Sequence, residues 1–218
     1  MKIRQQSLFF RLIRNCITAA LIVLGGASNM ALADEFENPK THIEHVYKEL
    51  RQDFAGNSAL KKCEESAIKE YLSTKLGNYI STQNVLTDIG FKLAKDSLAG
   101  MEDDFKNQLD AEFTTFLIQD NLSAIKQFCS ALDLKTLSSN VDYTVSSVTV
   151  SLKLANNKSS RFDVMLYRGW DHWLVFDIYS KNKSLQDKYR NLFGKTIMTE
   201  GYAGLLKQLA ALNQKNAQ

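Results

Sequence analysis

Histidine is the residue type whose spacing first suggests chemistry in this sequence, because imidazole binds metals and transfers protons near neutral pH. His42 and His45 lie three positions apart, so a helix would place them on one face. Glu49, one turn further on, is the nearest candidate for a third metal ligand. The spacing matches no strong zinc motif. We therefore interpret both histidines as surface residues of an amphipathic helix and predict no metal site.

Other combinations of residues that could support catalysis are also missing from the sequence. His172 lies between Trp170 and Trp173 at a predicted turn, and we interpret it as a packing residue. No serine occupies a Gly-x-Ser-x-Gly motif, and the ten glycines form no phosphate-binding loop. Acidic residues are scattered along helix faces, where solvation is the ordinary explanation. Nothing in the sequence argues for catalysis, and we predict no catalytic residue and no cofactor.

The first 33 residues have the pattern of a cleavable signal peptide. A basic segment precedes the apolar stretch 16–24, Gly25-Gly26 breaks the helix, and Ala31-Leu32-Ala33 offers a cleavage site before Asp34. This stretch is too short to cross a hydrocarbon core of about 30 Å. We therefore predict an exported, soluble protein of residues 34–218, with a buried N-terminal helix of the domain as the alternative.

The formal charge of +3 is a property of that leader. The chain has 27 Lys+Arg and 24 Asp+Glu, and residues 1–33 hold four of the basic residues and no acidic ones. Subtracting the leader leaves 23 basic and 24 acidic residues, a formal charge of −1. A strongly basic nucleic-acid-binding protein is therefore disfavoured, and we predict no nucleic-acid partner.

Two cysteines, Cys63 and Cys129, follow the predicted leader. An even number of cysteines in an exported protein indicates a disulfide, which here would tie two predicted helices together. Two separate buried thiols are the alternative, because free cysteine is often buried. Two isolated cysteines also lack the spacing of paired metal ligands.

Hydrophobic periodicity divides the remaining chain into a helical part (40–138), a strand part (139–180) and a second helical part (184–213). A capping box beginning at Thr41 starts the first predicted helix. The predicted helices of the first part cover residues 41–56, 58–76, 84–99, 102–121 and 123–132. The predicted strands cover residues 141–145, 148–154, 161–168 and 173–179, with an irregularity at 146–147. We predict an α+β fold in which helices pack on a small antiparallel sheet, as one domain or two closely packed lobes.

The last predicted strand and the helix after it contain the most informative residues. Residues 173–179 are apolar on both faces, so helices or a bound apolar ligand must cover both sides. Tyr189 and Arg190 follow a strand-to-helix turn and are suited either to an anionic head group or to a structural role at this junction. We favour the structural role, with a salt bridge between Arg190 and Asp177.

A set of residues around this junction resembles the C-terminal signature of the MlaC family of periplasmic phospholipid-binding proteins. The matching residues are Val175-Phe176-Asp177-Ile178, Ser184-Leu185, Tyr189-Arg190, Phe193, Gly201, Leu205-Leu206 and Leu209. The predicted helix that contains Phe105, Leu109, Phe113 and Phe116 is similar to the family's central helix. The sequence departs from the family at Lys181-Asn182, where Glu-Gly is usual.

The resemblance implies a monomeric carrier in the periplasm of a Gram-negative bacterium, with an apolar pocket enclosed by the sheet and the helices. Its cargo would be phospholipid. Its partners would be an outer-membrane lipoprotein–porin complex and an inner-membrane ABC transporter, and its role the maintenance of outer-membrane lipid asymmetry. A periplasmic enzyme acting on lipid or cell-wall material and a protein-binding module or chaperone are the alternatives.

Apolar residues of the central helix and of three strands are the candidates for contact with the acyl chains. We predict tail contacts for Phe105, Leu109, Phe113, Val150, Leu152, Val164, Leu166, Leu174, Phe176 and Ile178. We expect Asp177, Tyr189 and Arg190 to organise the strand–helix junction without touching lipid.

Overall fold

The computed structural model describes residues 37–90 and 93–216, which form seven α-helices and a five-stranded antiparallel sheet. The helices are α1 (Pro39–Gly56), α2 (Ser58–Lys61), α3 (Glu65–Lys75), α4 (Thr82–Gly90), α5 (Asp103–Asp120), α6 (Leu122–Cys129) and α7 (Leu185–Asn216). The strands are β1 (Asp133–Asp142), β2 (Val145–Lys153), β3 (Ser159–Arg168), β4 (Trp173–Ser180) and β5 (Lys183–Ser184). The predicted α+β class is confirmed. The predicted signal peptide lies outside the described residues, and none of the helices described is long and apolar enough to span a membrane.

The first helices differ from the prediction at their boundaries. Helix α1 begins at Pro39, ahead of the predicted capping box at Thr41, because Asn38 caps it and accepts a hydrogen bond from the Lys40 backbone N at 3.0 Å. Proline suits the first helical turn, where its missing N–H has no helical partner. The predicted helix 58–76 is interrupted at Cys63, whose φ of 56° lies in the left-handed region. That conformation ends α2 and separates it from α3.

Helix α4 also ends earlier than predicted, at Gly90 instead of residue 99. The Tyr202 ring lies directly against Gly90, and a Cβ at this position would clash with the phenol. The Tyr202 hydroxyl donates a hydrogen bond to the Leu86 carbonyl at 3.2 Å, and burial raises the pKa of this phenol. Gly201, with φ of 67°, kinks α7 just before Tyr202. Glycine at these two positions allows α7 to pack closely against α4.

The strands of the sheet pair in chain order, β1-β2-β3-β4-β5, and every pair is antiparallel. Strand β1 begins at Asp133, so the prediction of helical structure is wrong for residues 133–138. The bulge or break predicted at 146–147 is present as a break at 143–144, where a turn joins β1 to β2, and residues 146 and 147 themselves pair regularly with both neighbouring strands. The register shifts by one residue at Leu137 in β1 and at Phe176 in β4.

Buried apolar side chains of the described residues form three clusters. The helical core joins α4, α5 and α7 and contains Val85, Leu86, Ile89, Leu98, Leu109, Phe113, Phe116, Leu117, Tyr189, Phe193, Ile197, Tyr202, Leu205 and Leu209. The disulfide cluster contains Phe54, Leu60, Ile68, Leu72, Ile118 and Cys129. The sheet core contains Val148, Val150, Val164, Leu166 and Trp173.

Cys63 and Cys129 form a disulfide, with their Cα atoms 6.0 Å apart, so the predicted bridge is confirmed. The bond joins the turn between α2 and α3 to the end of α6. Arg51 of α1 reaches the same point, where its Nη1 donates a hydrogen bond to the Cys129 carbonyl at 2.9 Å. The C-terminal half of α1 is thus held beside the disulfide.

Candidate functional site

One side of the sheet is a continuous apolar surface, which we call the apolar face. Residues that pair directly in antiparallel strands place their side chains on the same side of the sheet. Val148 pairs with Val164, and Val150 pairs with Phe162. The apolar face consists of Val148, Val150, Leu152, Phe162, Val164, Leu166, Trp173, Val175 and Ile178, of which Val148, Val150 and Leu166 are fully buried. The opposite side of β2 is polar apart from Val145, and none of its residues is buried.

The register shift at Phe176 explains why β4 is apolar on both sides. Leu166 pairs with Val175 and Met165 pairs with Asp177, so Phe176 is an additional residue without a partner in β3. Phe176 packs against the helical core, whereas Val175 packs against the sheet core. After the shift, Ile178 pairs with Val164 and returns to the apolar face. Strand β4 therefore lies between two hydrophobic clusters, and helices and the sheet core cover its two sides.

The structure divides the predicted tail-contact residues between these two clusters. Val150, Val164 and Leu166 belong to the sheet core, and Leu152 and Ile178 extend the same face. Leu109, Phe113, Phe105 and Phe176 belong to the helical core or pack against it, and Leu174 is partly buried near Gly169. The ten residues are not brought into one site, and their contact with lipid stays a prediction.

Helix α1 covers the apolar face. Its residue Ile43 packs against the sheet core, and Glu44 accepts a hydrogen bond from Thr136 of β1. Val46 and Leu50 remain only partly buried, in contrast to the fully buried strand residues below them. The apolar face is therefore well shielded, while the helix that shields it retains accessible apolar surface.

The start of α1 is attached to the sheet by a cluster that sequence reasoning missed. The Trp173 Nε1 donates a hydrogen bond to the Glu37 carbonyl at 2.7 Å. The Glu37 carboxylate lies 3.1 Å from His42 Nδ1 and 2.5 Å from His45 Nδ1. The ring of His172 stacks on that of His42, with centroids 6.1 Å apart. Nothing in the sequence pattern links these residues, because His42 and His172 are 130 positions apart.

These positions revise part of the histidine interpretation. His42 is buried, so the prediction of a surface residue is wrong for it, whereas His45 is exposed as expected. His172 packs on His42 and its Nε2 lies 3.2 Å from the Asn78 carbonyl, while the neighbouring Trp170 is exposed. No group of three or more potential ligands in the described ranges has the geometry to hold a metal ion.

Asp177 organises the junction between β4 and α7. The carboxylate is buried and accepts hydrogen bonds from Ser184 Oγ at 2.6 Å, from the Gln186 backbone N at 3.0 Å and from the Ile178 backbone N at 2.8 Å. Ser184 Oγ in turn accepts a hydrogen bond from the Asp187 backbone N at 3.0 Å. These bonds satisfy free N–H groups at the start of α7, where a negative charge is also favoured by the helix dipole.

The predicted salt bridge between Arg190 and Asp177 is wrong. Arg190 Nη1 instead contacts Asp187 Oδ1 at 2.5 Å, one turn away on the same helix. Its Nη2 donates a hydrogen bond to the Asp88 carbonyl near the end of α4 at 3.1 Å. Arg190 therefore connects two helices, and the hydrogen bonds of Asp177 come from Ser184 and from backbone N–H groups.

Tyr189 connects α7 to the end of α5. It is fully buried among Phe113, Phe116 and Phe193, and its hydroxyl donates to Asp120 Oδ2 at 3.0 Å. The same hydroxyl accepts a hydrogen bond from Asn121 Nδ2 at 2.7 Å. Burial is the main cause that raises the pKa of this phenol well above its usual range. Tyr189 and Arg190 thus connect α7 to other helices, and neither side chain bonds to strand β4.

The comparisons with known proteins agree with this architecture. A family profile described as MlaC protein matches residues 44–211. The chain belongs to the MlaC family. The matched range includes α1 from Glu44 onward, the whole sheet and most of α7. MlaC proteins are in general periplasmic, and this membership favours a binding protein over an enzyme.

A solved structure supports the fold of this MlaC-family chain. A phospholipid-binding protein from Ralstonia solanacearum, solved in complex with a phospholipid, has 15% sequence identity and a TM-score of 0.69. That match covers 84% of this chain and all of the other. A Campylobacter jejuni protein with the description "Putative NTF2-like transpeptidase" has 14% identity and a TM-score of 0.33. That match covers 59% of this chain and 94% of the other. No curated protein sequence gives a significant match.

Proposed function

We propose that this chain is a periplasmic phospholipid carrier that moves lipid between an outer-membrane complex and an inner-membrane ABC transporter and so maintains outer-membrane lipid asymmetry. The observation that carries the proposal is the continuous apolar face of β2–β4 beneath the amphipathic helix α1. Membership of the MlaC family supports it, as does the similarity in fold to a phospholipid-binding protein.

The energetics of transport require an apolar surface of this kind. The two tails of a phospholipid contain roughly 30 methylenes, and withdrawing them from water stabilises them by on the order of 24 kcal/mol at ~0.8 kcal/mol each. A carrier that left the tails in water could not compete with a membrane. Continuous apolar area along several strands is therefore the minimum requirement, and Val148, Val150, Val164 and Leu166, which are buried in this structure, are the residues that would provide it.

The acyl chains would lie between the apolar face and α1. Ile43 of α1 packs against the sheet core, and Val46 and Leu50, three and seven positions further on, share its side of the helix by spacing. All three are only partly buried, so they could contact lipid. Flexible or incompletely packed contacts are easier to separate than a close-packed core. Among the predicted tail contacts we therefore give the apolar-face residues the principal role, with those of the helical core as supporting residues.

The proposal involves no catalytic step and no cofactor, with phospholipid as the cargo. It assigns the protein two protein partners and a monomeric state, as the family resemblance implies. The formal charge of −1 for residues 34–218 suits a carrier that must leave membranes, because a strongly basic surface would hold it on anionic lipid.

Native mass spectrometry of the purified protein comprising residues 34–218 tests lipid binding directly. We expect co-purified phospholipid that is lost on delipidation and regained from vesicles. Repeated absence of lipid under both conditions would exclude the carrier and favour a chaperone or enzyme. Transfer of a fluorescent phospholipid to liposomes containing the inner-membrane transporter, compared with empty liposomes, tests the partner assignment; equal rates in both would contradict it.

A pair of adjacent variants tests the location of the tails. V150F adds volume on the apolar face, whereas S151F adds the same type of ring at the next position, on the opposite side of β2. We expect V150F to lose bound lipid and S151F to retain it, with circular dichroism confirming that both remain folded. Equal lipid content in two folded variants would exclude the apolar face. If V150F does not fold, the lipid content of V150I, which adds less volume on the apolar face, is compared with that of the wild-type protein.

A further inference from the structure

Large aromatic side chains are exposed at one end of the sheet. Trp170 is completely exposed, at 103% of its reference area, and Tyr143 is 85% exposed. Trp170 lies in the turn between β3 and β4, and Tyr143 lies in the turn between β1 and β2. Val141 and Tyr167, next to these turns, are also exposed. We call these four residues the aromatic tip.

The two turns of the aromatic tip are held next to each other. The Arg168 backbone N donates a hydrogen bond to the Thr144 carbonyl at 2.8 Å, which connects the two hairpins where they turn. With neighbouring strands about 4.8 Å apart, the centres of the hairpins are about 10 Å apart. A hydrogen bond from the Gly169 backbone N to the His172 carbonyl at 2.9 Å closes the second turn. Both aromatic rings are therefore presented by ordered backbone.

Neither ring belongs to a hydrophobic cluster of the described residues. Trp170 packs against little of the protein, in contrast to Trp173, which is 3% exposed and belongs to the sheet core. Exposing two large amphipathic rings to water at neighbouring turns is unfavourable unless another surface covers them. Tryptophan and tyrosine combine an apolar ring with a polar atom, which suits the boundary between bilayer headgroups and acyl chains.

We propose that the aromatic tip inserts into the interfacial layer of a phospholipid bilayer, an inference that rests on the proposed carrier function. The strands that end in these turns also form the apolar face, so contact at the tip brings the end of that face to the membrane surface. The shape of the tip favours a bilayer over a protein partner. Two projecting turns fit a fluid surface, whereas stable protein interfaces need about 800 Å² on each side.

Charge at the tip predicts how the contact responds to salt. Asp142, Arg168 and Asp171 lie at or next to the two turns, giving a formal charge of −1 with neutral histidine. Coulombic attraction to anionic lipid is therefore not the source of binding, and insertion depends on the aromatic rings. We expect binding to vesicles of zwitterionic phosphatidylcholine that is insensitive to ionic strength, because screening acts only on charge interactions.

The chain has two tryptophans, so tryptophan fluorescence can test the proposal. Trp170 is exposed at the tip, whereas Trp173 is buried on the apolar face and responds to lipid taken up there, so the difference between the wild-type protein and W170F reports the tip. We expect a blue shift of emission and quenching by lipids brominated on their acyl chains in the wild-type protein. The W170F variant, which retains Trp173, should show much smaller changes, and equal changes in the two proteins would overturn the proposal. Unchanged emission of the wild-type protein with saturating vesicles would overturn the proposal.

Vesicle partitioning and lipid transfer provide the second measurement. We expect a Y143S/W170S variant to bind vesicles at least about tenfold more weakly, the loss expected when one aromatic burial is removed. M198S, which changes another exposed apolar residue on α7, should bind as the wild type does. If Y143S/W170S retains its bound phospholipid by native mass spectrometry and partitions normally, the tip proposal fails while the carrier function stands. A defect seen only with a purified protein partner, without vesicle binding, would also overturn it in favour of protein docking.

Discussion

Breaking the disulfide should remove a large part of the stability of this domain. The bond joins positions separated by 66 residues and closes a loop that includes α3, α4 and α5. Cys129 is buried with Phe54, Leu60 and Ile68 in the disulfide cluster. Reduction would leave these contacts in place and release only the covalent constraint. The perturbation therefore separates the effect of the cross-link from the effect of packing.

The expected loss follows from the entropy of the unfolded chain. For a separation of 66 residues, loop closure gives about 4 kcal/mol of stabilisation at 25 °C. Typical small domains have total unfolding free energies of about 5–15 kcal/mol. Reduction is thus expected to move the domain close to the limit of stability. A C63A/C129A variant should lose the same amount, with a small further cost because the buried Cys129 sulfur is removed.

Urea denaturation followed by circular dichroism measures the effect, with oxidised, reduced and C63A/C129A proteins compared in parallel. Thiol titration of the oxidised protein serves as the control that the bond is present. A loss below about 1 kcal/mol in both perturbed proteins would refute the entropic argument, since it predicts about four times that value. A large loss in the variant with none on reduction would attribute the stabilisation to packing instead.

Two other side chains give predictions of similar precision. D177N should lower the unfolding free energy by about 2 kcal/mol, because its amide cannot accept all the hydrogen bonds that the buried carboxylate accepts from Ser184, Gln186 and Ile178. Urea denaturation measures the loss, with D171N at an exposed position as the control. Equal denaturation midpoints for D177N and the wild type would contradict the prediction. Y189F should cost about 1 kcal/mol at neutral pH through the lost hydroxyl contacts. Burial raises the pKa of Tyr189, so its contribution is complete below the unfolded value of about 10 and is lost as pH rises toward the higher folded value. Above about pH 10 the unfolding free energy of Y189F should therefore fall less steeply with pH than that of the wild type, by up to about 1.4 kcal/mol per pH unit. Thermal melts across that pH range measure both slopes. Parallel profiles would contradict the pKa shift.

The sheet shows which part of the fold can be predicted from sequence. Alternation of apolar residues in β2 and β3 predicted both strands and the side of each that is buried, because the two-residue period is a local property. Residues 133–138 of β1 were missed. This edge strand has no strict alternation of burial, and Leu137 occupies a register shift. Where neither face is fully buried, the sequence has no periodic signal to follow.

The contacts of the polar residues were harder to predict, because they depend on tertiary distance. Arg190 was expected to pair with Asp177, yet Asp187 is one helical turn away and needs no long-range arrangement. Asp177 is instead enclosed by the start of α7, and its Ser184 partner was recognisable only as part of the family signature. Glu37, which joins His42 to Trp173 through its side chain and carbonyl, comes from a segment with no motif.

The two attachments of α1 restrict how lipid can reach the apolar face. At one end the Glu37 carbonyl accepts a hydrogen bond from Trp173 of β4. At the other end Arg51 donates a hydrogen bond to the Cys129 carbonyl, and Phe54 is buried beside the disulfide. If the tails lie on the apolar face, they must enter alongside the middle of α1, where Val46 and Leu50 are only partly buried. Lipid uptake on that face would then have to move the middle of α1 away from the sheet while the hydrogen bonds at its two ends hold.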